Sequence, residues 1–315
     1  MKKLFFTLLL TITVLCCHAQ ESQTVYNFLR LPMSAHAAAL GGDNITLSND
    51  DEALIFHNPA LLTYVSDKTV NLSYMNYMQG SNNLGAAFNR VLSQRASVAV
   101  TGQYVNYGTM KETDEYNRQL GEFSAKDIAI GGHFSYLLTD HLSGGVTAKL
   151  ITSYIGQYNS TGVAVDLGVN YYDPEKEWSL SAVARNLGGQ LSAYEDDFER
   201  LPIDLQVGIS KQLTGTPVRF TATAVDLNHL GNYKFIDHWI GAVDLTISRQ
   251  IWVGMGYNFR RAHEMKIGSG DEASSHGAGL SFGAGLQLER FKLHVAYGKY
   301  HVSSSSILIN TAFSL

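Results

Sequence analysis

The 315-residue chain has two cysteines, Cys16 and Cys17, and both fall in its first twenty residues. If that stretch is removed on export, the remaining chain has no thiol. Disulfides, cysteine-zinc sites and thiol nucleophiles are then excluded together. Charge is also scarce. Charged residues are 16% of the chain, against roughly 25% in soluble domains. Basic residues number 23 against 28 acidic ones, with no basic block, so nucleic acid is not the expected partner. Beyond residue 20 no run reaches the ~18 apolar residues of a membrane-spanning helix. Disorder is excluded from the other side, by 45% hydrophobic residues and 17 tyrosines.

The N-terminus explains where those cysteines go. Lys2 and Lys3 open the chain, Leu4 to Cys17 is apolar, and Cys17-His18-Ala19 offers a small-x-small cleavage site. The expectation is a secretory signal peptide over residues 1–19. A lipoprotein signal is excluded, because Leu15 stands before Cys16 where a small residue is needed.

From about residue 68 the pattern has period two. Val163, Val165, Leu167, Val169 and Tyr171 alternate with Ala164, Asp166, Gly168 and Asn170. The same alternation recurs at 251–259 and 280–287. About fourteen such segments follow one another, each about ten residues long, the length a tilted strand needs to cross a bilayer. Connections near Arg95, Asp140, Pro174, Arg249 and Arg290 are short. Those at Gly108–Lys126, Gly188–Leu201 and Arg261–Ser275 are long. Short turns at one end and long loops at the other mark an outer-membrane barrel. The predicted fold is therefore all-β: a transmembrane antiparallel β-barrel of about 14 strands over residues 68–315.

The polar face of these strands carries His133, Lys149, Asp166, Arg185, Asp204, Arg219, Asp244 and Lys292. Facing lipid, a basic residue costs roughly 2–4 kcal/mol at mid-depth, so this face is expected to line the lumen. There Lys149, Asp166, Arg185, Asp204, Arg219 and Asp244 form a polar network whose opposite signs pair across the interior. Aromatic residues cluster near strand ends, among them Tyr74, Tyr77, Tyr107, Tyr171, Trp178, Trp239, Tyr297 and Tyr300, as suits a membrane interface. The last strand ends in Leu315, with its aromatic residue at Phe313.

Residues 20–67 do not alternate. Val25 to Leu40 is compatible with a short helix broken at Pro32 and stopped by Gly41-Gly42. Ser48-Asn49-Asp50-Asp51 caps a second short helix over Glu52 to Phe56. The segment is too short and polar for a domain, and is expected to fold into the barrel mouth as a partly helical plug.

The run Ala37-Ala38-Ala39-Leu40-Gly41-Gly42, then Asn49-Asp50-Asp51, then Asn58-Pro59-Ala60 resembles the N-terminal signature of the FadL-like outer-membrane barrels. The full stretch Tyr26-Asn27-Phe28-Leu29-Arg30-Leu31-Pro32 through Asn58-Pro59-Ala60 is closer still to their PorV/PorQ branch, with the length favouring the PorQ side. The resemblance implies fourteen strands, a hatch inside the barrel, and Gly41, Gly42, Asn58, Pro59 and Ala60 as the plug signature. It further implies an outer-membrane role in the type IX secretion system of Bacteroidota, in its cell-surface attachment complex. The implied partners are a PorZ-like surface protein, the PorU sortase, the PorV shuttle and lipopolysaccharide. The other FadL-like barrels imply an alternative, a channel for uptake of hydrophobic compounds.

Catalytic and cofactor chemistry is not evident. The eleven histidines show no metal spacing, Asp50, Asp51 and Glu52 read as a helix start, and Glu195, Asp196, Asp197 and Glu199 as a solvated loop face. Gly268-Ser269-Gly270 and Gly277-Ala278-Gly279 are not phosphate loops, since no helix pattern follows. The expectation is a non-enzyme with no cofactor and no metal.

Overall fold

The computed structural model describes residues 24–78, 80–116, 118–231, 233–265, 277–301 and 304–315. The proposed signal peptide lies outside them. Fourteen antiparallel strands close into a barrel. In order they are β1 (Thr69–Asn76), β2 (Asn82–Ser93), β3 (Ala96–Thr113), β4 (Gln119–Leu137), β5 (Leu142–Ile155), β6 (Tyr158–Asp173) and β7 (Trp178–Ser192). The second half comprises β8 (Asp204–Gln212), β9 (Val218–Ala224), β10 (Trp239–Thr246), β11 (Ile251–Asn258), β12 (Leu280–Gln287), β13 (Phe291–His301) and β14 (Ser304–Ser314). Pairing of β1 with β14, Val70 opposite Phe313, closes the ring.

Closure matters because a free strand edge leaves unpaired N–H and C=O groups that lipid cannot satisfy. The alternation of side chains then sorts the two faces. Leu72, Phe88, Val100, Ile130, Phe282 and Phe313 point outward and are exposed. Their inward neighbours, such as Asn71, Ser73, Asn89, Thr101 and Asn310, are buried. Among the described residues no helix is long and apolar enough to cross a membrane; the exposed apolar belt is carried by the strands.

Two expectations change. The connection 108–126 is mostly strand: β3 and β4 run on together, pairing Met110 with Phe123 and Lys111 with Glu122. This ribbon stands above the neighbouring strands. It has neither a lipid face nor a lumen face to impose one-sided apolar alternation, so its pattern reads as a loop. The aromatic residues also divide. Tyr74, Tyr171, Trp178 and Tyr297 face outward, whereas Tyr77, Tyr107 and Tyr300 are half-buried against the core. Proximity to a strand end does not specify the face.

That core lies inside the barrel and is built by residues 24–66. Thr24 bridges to Arg200 at the long-loop end, while β1 begins at the short-turn end, so the segment descends the whole lumen. It comprises a 3-10 turn (Asn27–Arg30), a helix (Ala35–Ala39) and two further 3-10 turns (Glu52–Phe56 and Pro59–Tyr64). Each of the last three has a side-chain cap. The oxygens of Ser34, Asp51 and Asn58 accept from the N–H groups of Ala37, Ala53 and Ala60 at 3.2, 3.1 and 3.0 Å. Gly41 and Gly42 end the helix with φ of 104° and 109°, a region closed to most side chains.

Inward-facing glycines of the wall receive this segment. A Cβ on Gly145 would lie 2.4 Å from the Pro59 carbonyl carbon, one on Gly168 2.2 Å from Asn58 Oδ1, and one on Gly256 2.3 Å from the Leu40 carbonyl carbon. The plug backbone is thus seated directly on the wall backbone. Gly168→Leu is expected to destabilise the barrel or displace the plug, by at least the roughly 1–3 kcal/mol of an overpacked site. Gly102→Leu, where a Cβ meets nothing within 4 Å, is the matched control. Urea midpoints of the two variants in detergent provide the comparison.

Candidate functional site

The candidate site is the contact between plug and wall, where ionic side chains from both meet. Lys149 of β5 and Asp166 of β6 are 2.6 Å apart on adjacent strands, and Arg219 of β9 and Asp244 of β10 are 2.7 Å apart. Arg219 donates through Nε and Nη2 to Asp244, a forked geometry that lysine cannot reproduce. Both pairs are largely shielded from solvent.

The remaining wall charges turn to the plug. Arg185 of β7 meets Asp43 at 3.0 Å and donates to the Leu29 carbonyl at 3.0 Å. Lys292 of β13 reaches Asp50 at 2.6 Å and the Asp50 carbonyl at 2.7 Å. Asp244 also takes His36, from the helix Ala35–Ala39, at 3.2 Å. Arg219 donates to Asn49 as well, at 3.1 Å. Among the described residues Asp204 forms no ion pair of this kind. It accepts from Gln206 at 2.6 Å and from the Asp226 N–H at 2.7 Å. The network expected to pair across the interior instead pairs between adjacent strands and with the plug. The physical reason is that the plug occupies the space between opposite walls.

The plug signature has an equally local role. Asn58 caps the turn that Pro59 begins, and its amide donates to the Ile45 carbonyl at 2.9 Å. The fixed φ of Pro59 suits the first position of a helical turn. The Gly41 carbonyl accepts from Asn258 of β11 at 3.1 Å. Gly42 closes the helix through the Ala37 carbonyl at 3.0 Å.

Sequence patterns did not reveal several participants. His36 stacks on Trp252 of β11 with ring centroids 3.7 Å apart, and His294 meets the same ring edge-on at 5.4 Å. Asp51 lies 3.5 Å from His294. Burial alone would raise the Asp51 carboxyl, but the nearby His294 holds it down at about 2. Asp43 likewise is held at about 2 against its burial, by His57 and Arg185. His57 Nδ1 stands 3.8 Å from Asp43, beyond hydrogen-bond reach, and burial lowers the pKa of its ring. Asp43 had one available signal, its place directly after Gly41-Gly42. Asp51 had its place at a helix start, which does not say what it pairs with, and His36 had no signal.

Little space remains. Between Leu29, Leu31, Met33 and Phe56 of the plug and Gln103 and His133 of the wall lies a void of about 20 Å³, room for roughly one water. Among the described residues no cluster of three or more metal-ligating side chains occurs.

Glu52 stands apart from this pairing. It is wholly buried, and neither carboxylate oxygen has a hydrogen-bond partner among the described residues. Burial, reinforced by the Asp51 charge, pushes it up from 4.5 to about 8. The folded chain therefore keeps a proton that the unfolded chain releases. Its contribution to stability is full below about pH 4.5 and is lost as pH rises towards about 8. The wild-type barrel is expected to lose up to about 1.4 kcal/mol per pH unit across that window from this group. Glu52→Gln is expected to remove that component. Urea titrations of both proteins at a series of pH values from 5 to 9 measure the slopes.

No protein-family model and no curated protein matches this chain. Solved structures do. The toluene transporter TodX of Pseudomonas putida superposes with a TM-score of 0.57 at 13% identity, covering 90% of this chain and 97% of its own. A FadL homologue of Pseudomonas aeruginosa gives 0.57 at 11% identity, covering 93% and 100%. The monoaromatic hydrocarbon channel CymD gives 0.56 at 13%, covering 92% and 99%. At such identities the likeness concerns the fold: the chain, a closed, plugged, 14-strand antiparallel β-barrel, shares the fold of these structures.

Proposed function

We propose that this chain is a non-catalytic, PorQ-like barrel of the outer membrane. In this reading it anchors a PorZ-like surface protein within the type IX attachment complex, where cargo is joined to lipopolysaccharide. The observation that carries the non-conducting part is the filled lumen. Residues 24–66 run its full length, wall glycines seat the plug backbone, and Arg185 and Lys292 bind it by charge. The type IX part rests on the ordered series between Tyr26 and Ala60. Its Gly41-Gly42 and Asn58-Pro59-Ala60 elements have specific structural work in the plug. The surface available to a partner is the long-loop end, with the β3–β4 ribbon and the segment 193–203. The PorU sortase and the PorV shuttle are further expected members of the assembly.

A second reading is uptake of a hydrophobic compound, favoured by the likeness in fold to TodX and CymD. It requires an apolar binding space near the plug. The void there, about 20 Å³, is far below the roughly 300 Å³ at which ligand pockets begin.

Affinity purification of the tagged chain from native outer membranes in mild detergent separates the two. Recovery of a PorZ-like surface protein in about equal amount is expected. Recovery of the barrel alone, with an apolar molecule retained in the lumen, would overturn the anchoring role and establish uptake.

A further inference from the structure

Segment 193–203 joins β7 to β8 at the long-loop end and lies against the outer end of the plug. Its inner side is buried: Ala193 and Leu201 are 9% and 3% exposed. Leu201 belongs to the same apolar cluster as Val25, Tyr26 and Phe28 of the plug. Its outer side, residues 195–200, is exposed.

Both ends of this segment are tied to the wall. The Tyr194 hydroxyl donates to Ser153 of β5, which donates in turn to Asp127 of β4. Tyr107 of β3 donates to the other Asp127 oxygen at 2.7 Å. Further on, the Glu199 N–H donates to Gln190 of β7 at 2.6 Å, and the Pro202 carbonyl accepts from Asn186 at 3.0 Å. Between these last two ties Arg200 forms a parallel β-bridge with Thr24, its carbonyl accepting from the Val25 N–H at 2.9 Å.

The plug is held differently at different depths. From Met33 onward the wall itself anchors it. Asn310 of β14 donates to the Met33 carbonyl at 2.9 Å and accepts from the Ala35 N–H, and Asp244 takes His36. Above these, the Phe28 and Leu29 carbonyls accept from Gln103 and Arg185 at 3.2 and 3.0 Å. Among the described residues, the backbone of 24–27 makes one hydrogen bond beyond the plug, the bond from Val25 to Arg200. Tyr26 stands there at φ 57°, in the left-handed region, which a bulky residue keeps only where its surroundings impose it. Two contacts do so. One is the neighbouring bridge. The other is the ring's slot, where a Cβ on Gly162 would lie 2.7 Å from Tyr26 Cε2, and the Tyr26 hydroxyl is 2.5 Å from Ser160.

We propose that segment 193–203 is a strap that fastens the outer end of the plug, residues 24–27. Unfastening it frees this end while residues 33–66 stay seated. The strain at Tyr26 favours release, because the left-handed turn then loses one of the two contacts that impose it. The exposed residues 195–199 and the plug bond at Arg200 are contiguous in the chain, so a displacement of the first is carried to the second. The inference concerns the barrel by itself and does not depend on the partner proposed above.

The test is hydrogen–deuterium exchange of the full mature barrel in mild detergent, read by mass spectrometry on peptides from 24–32 and 43–66. Heat-dependent migration on a gel reports separately that each barrel has formed. Deletion of residues 196–200 removes the bridge. Exchange over 24–32 is then expected to rise at least about ten-fold, with 43–66 unchanged. Thr24→Cys/Arg200→Cys places two thiols across the bridge, at a separation a disulfide can span. Oxidised after folding, this variant is expected to exchange over 24–32 at least about ten-fold more slowly than when reduced. Unchanged exchange over 24–32 on deletion, or equal rates in the oxidised and reduced forms, would overturn the proposal. Acceleration of 43–66 to the same degree as 24–32 would overturn it too, since it would show general loosening instead of a strap.

Discussion

A charge placed inside a filled barrel has neither bulk water nor an open lumen to solvate it, so it must be paired where it stands. Leaving one partner of a buried pair alone costs about 3–5 kcal/mol. This constraint organises the interior. Lys149 and Asp166 satisfy one another across adjacent strands, as do Arg219 and Asp244. Arg185 and Lys292 find carboxylates only on the plug, at Asp43 and Asp50. The plug is therefore part of the electrostatic solution of the wall. Removing it would strand two cations, and the wall in turn fixes the height of the plug.

Steric fit adds a second requirement. Glycines on the lumen face let backbone approach backbone at 145 and 256, and let the Asn58 and Pro59 side chains seat against the wall at 168. The plug in turn presents short, capped turns instead of long helices. Such turns bring many carbonyl and N–H groups near the wall, and the polar side chains of the strands answer them. Asn310 donates to the Met33 carbonyl at 2.9 Å, and Asn258 to that of Gly41 at 3.1 Å. Glu52 is the exception, a carboxyl kept neutral by burial instead of paired.

The barrel was legible in the sequence because lipid enforces a rule on every spanning strand. Val163 to Tyr171 alternate in the sequence and in the structure for the same reason. The inward positions of Asp166, Arg185 and Asp244 follow from that alternation. What did not follow is which carboxylate each cation meets. Asp43 and Asp51 lie in irregular backbone, where no period relates position to direction. The β3–β4 ribbon was missed for a related reason, since beyond the membrane neither face need be apolar. Glycines such as Gly168 carried only the meaning of a small residue until the plug contact supplied the reason.

The central claim is that residues 24–66 seal the lumen. Conductance of the purified full-length barrel in a planar lipid bilayer tests it most directly. The account predicts insertion without stepwise current, because the interior is occupied along its length. Stable open steps of uniform size from the unmodified protein would show a continuous aqueous path and contradict it.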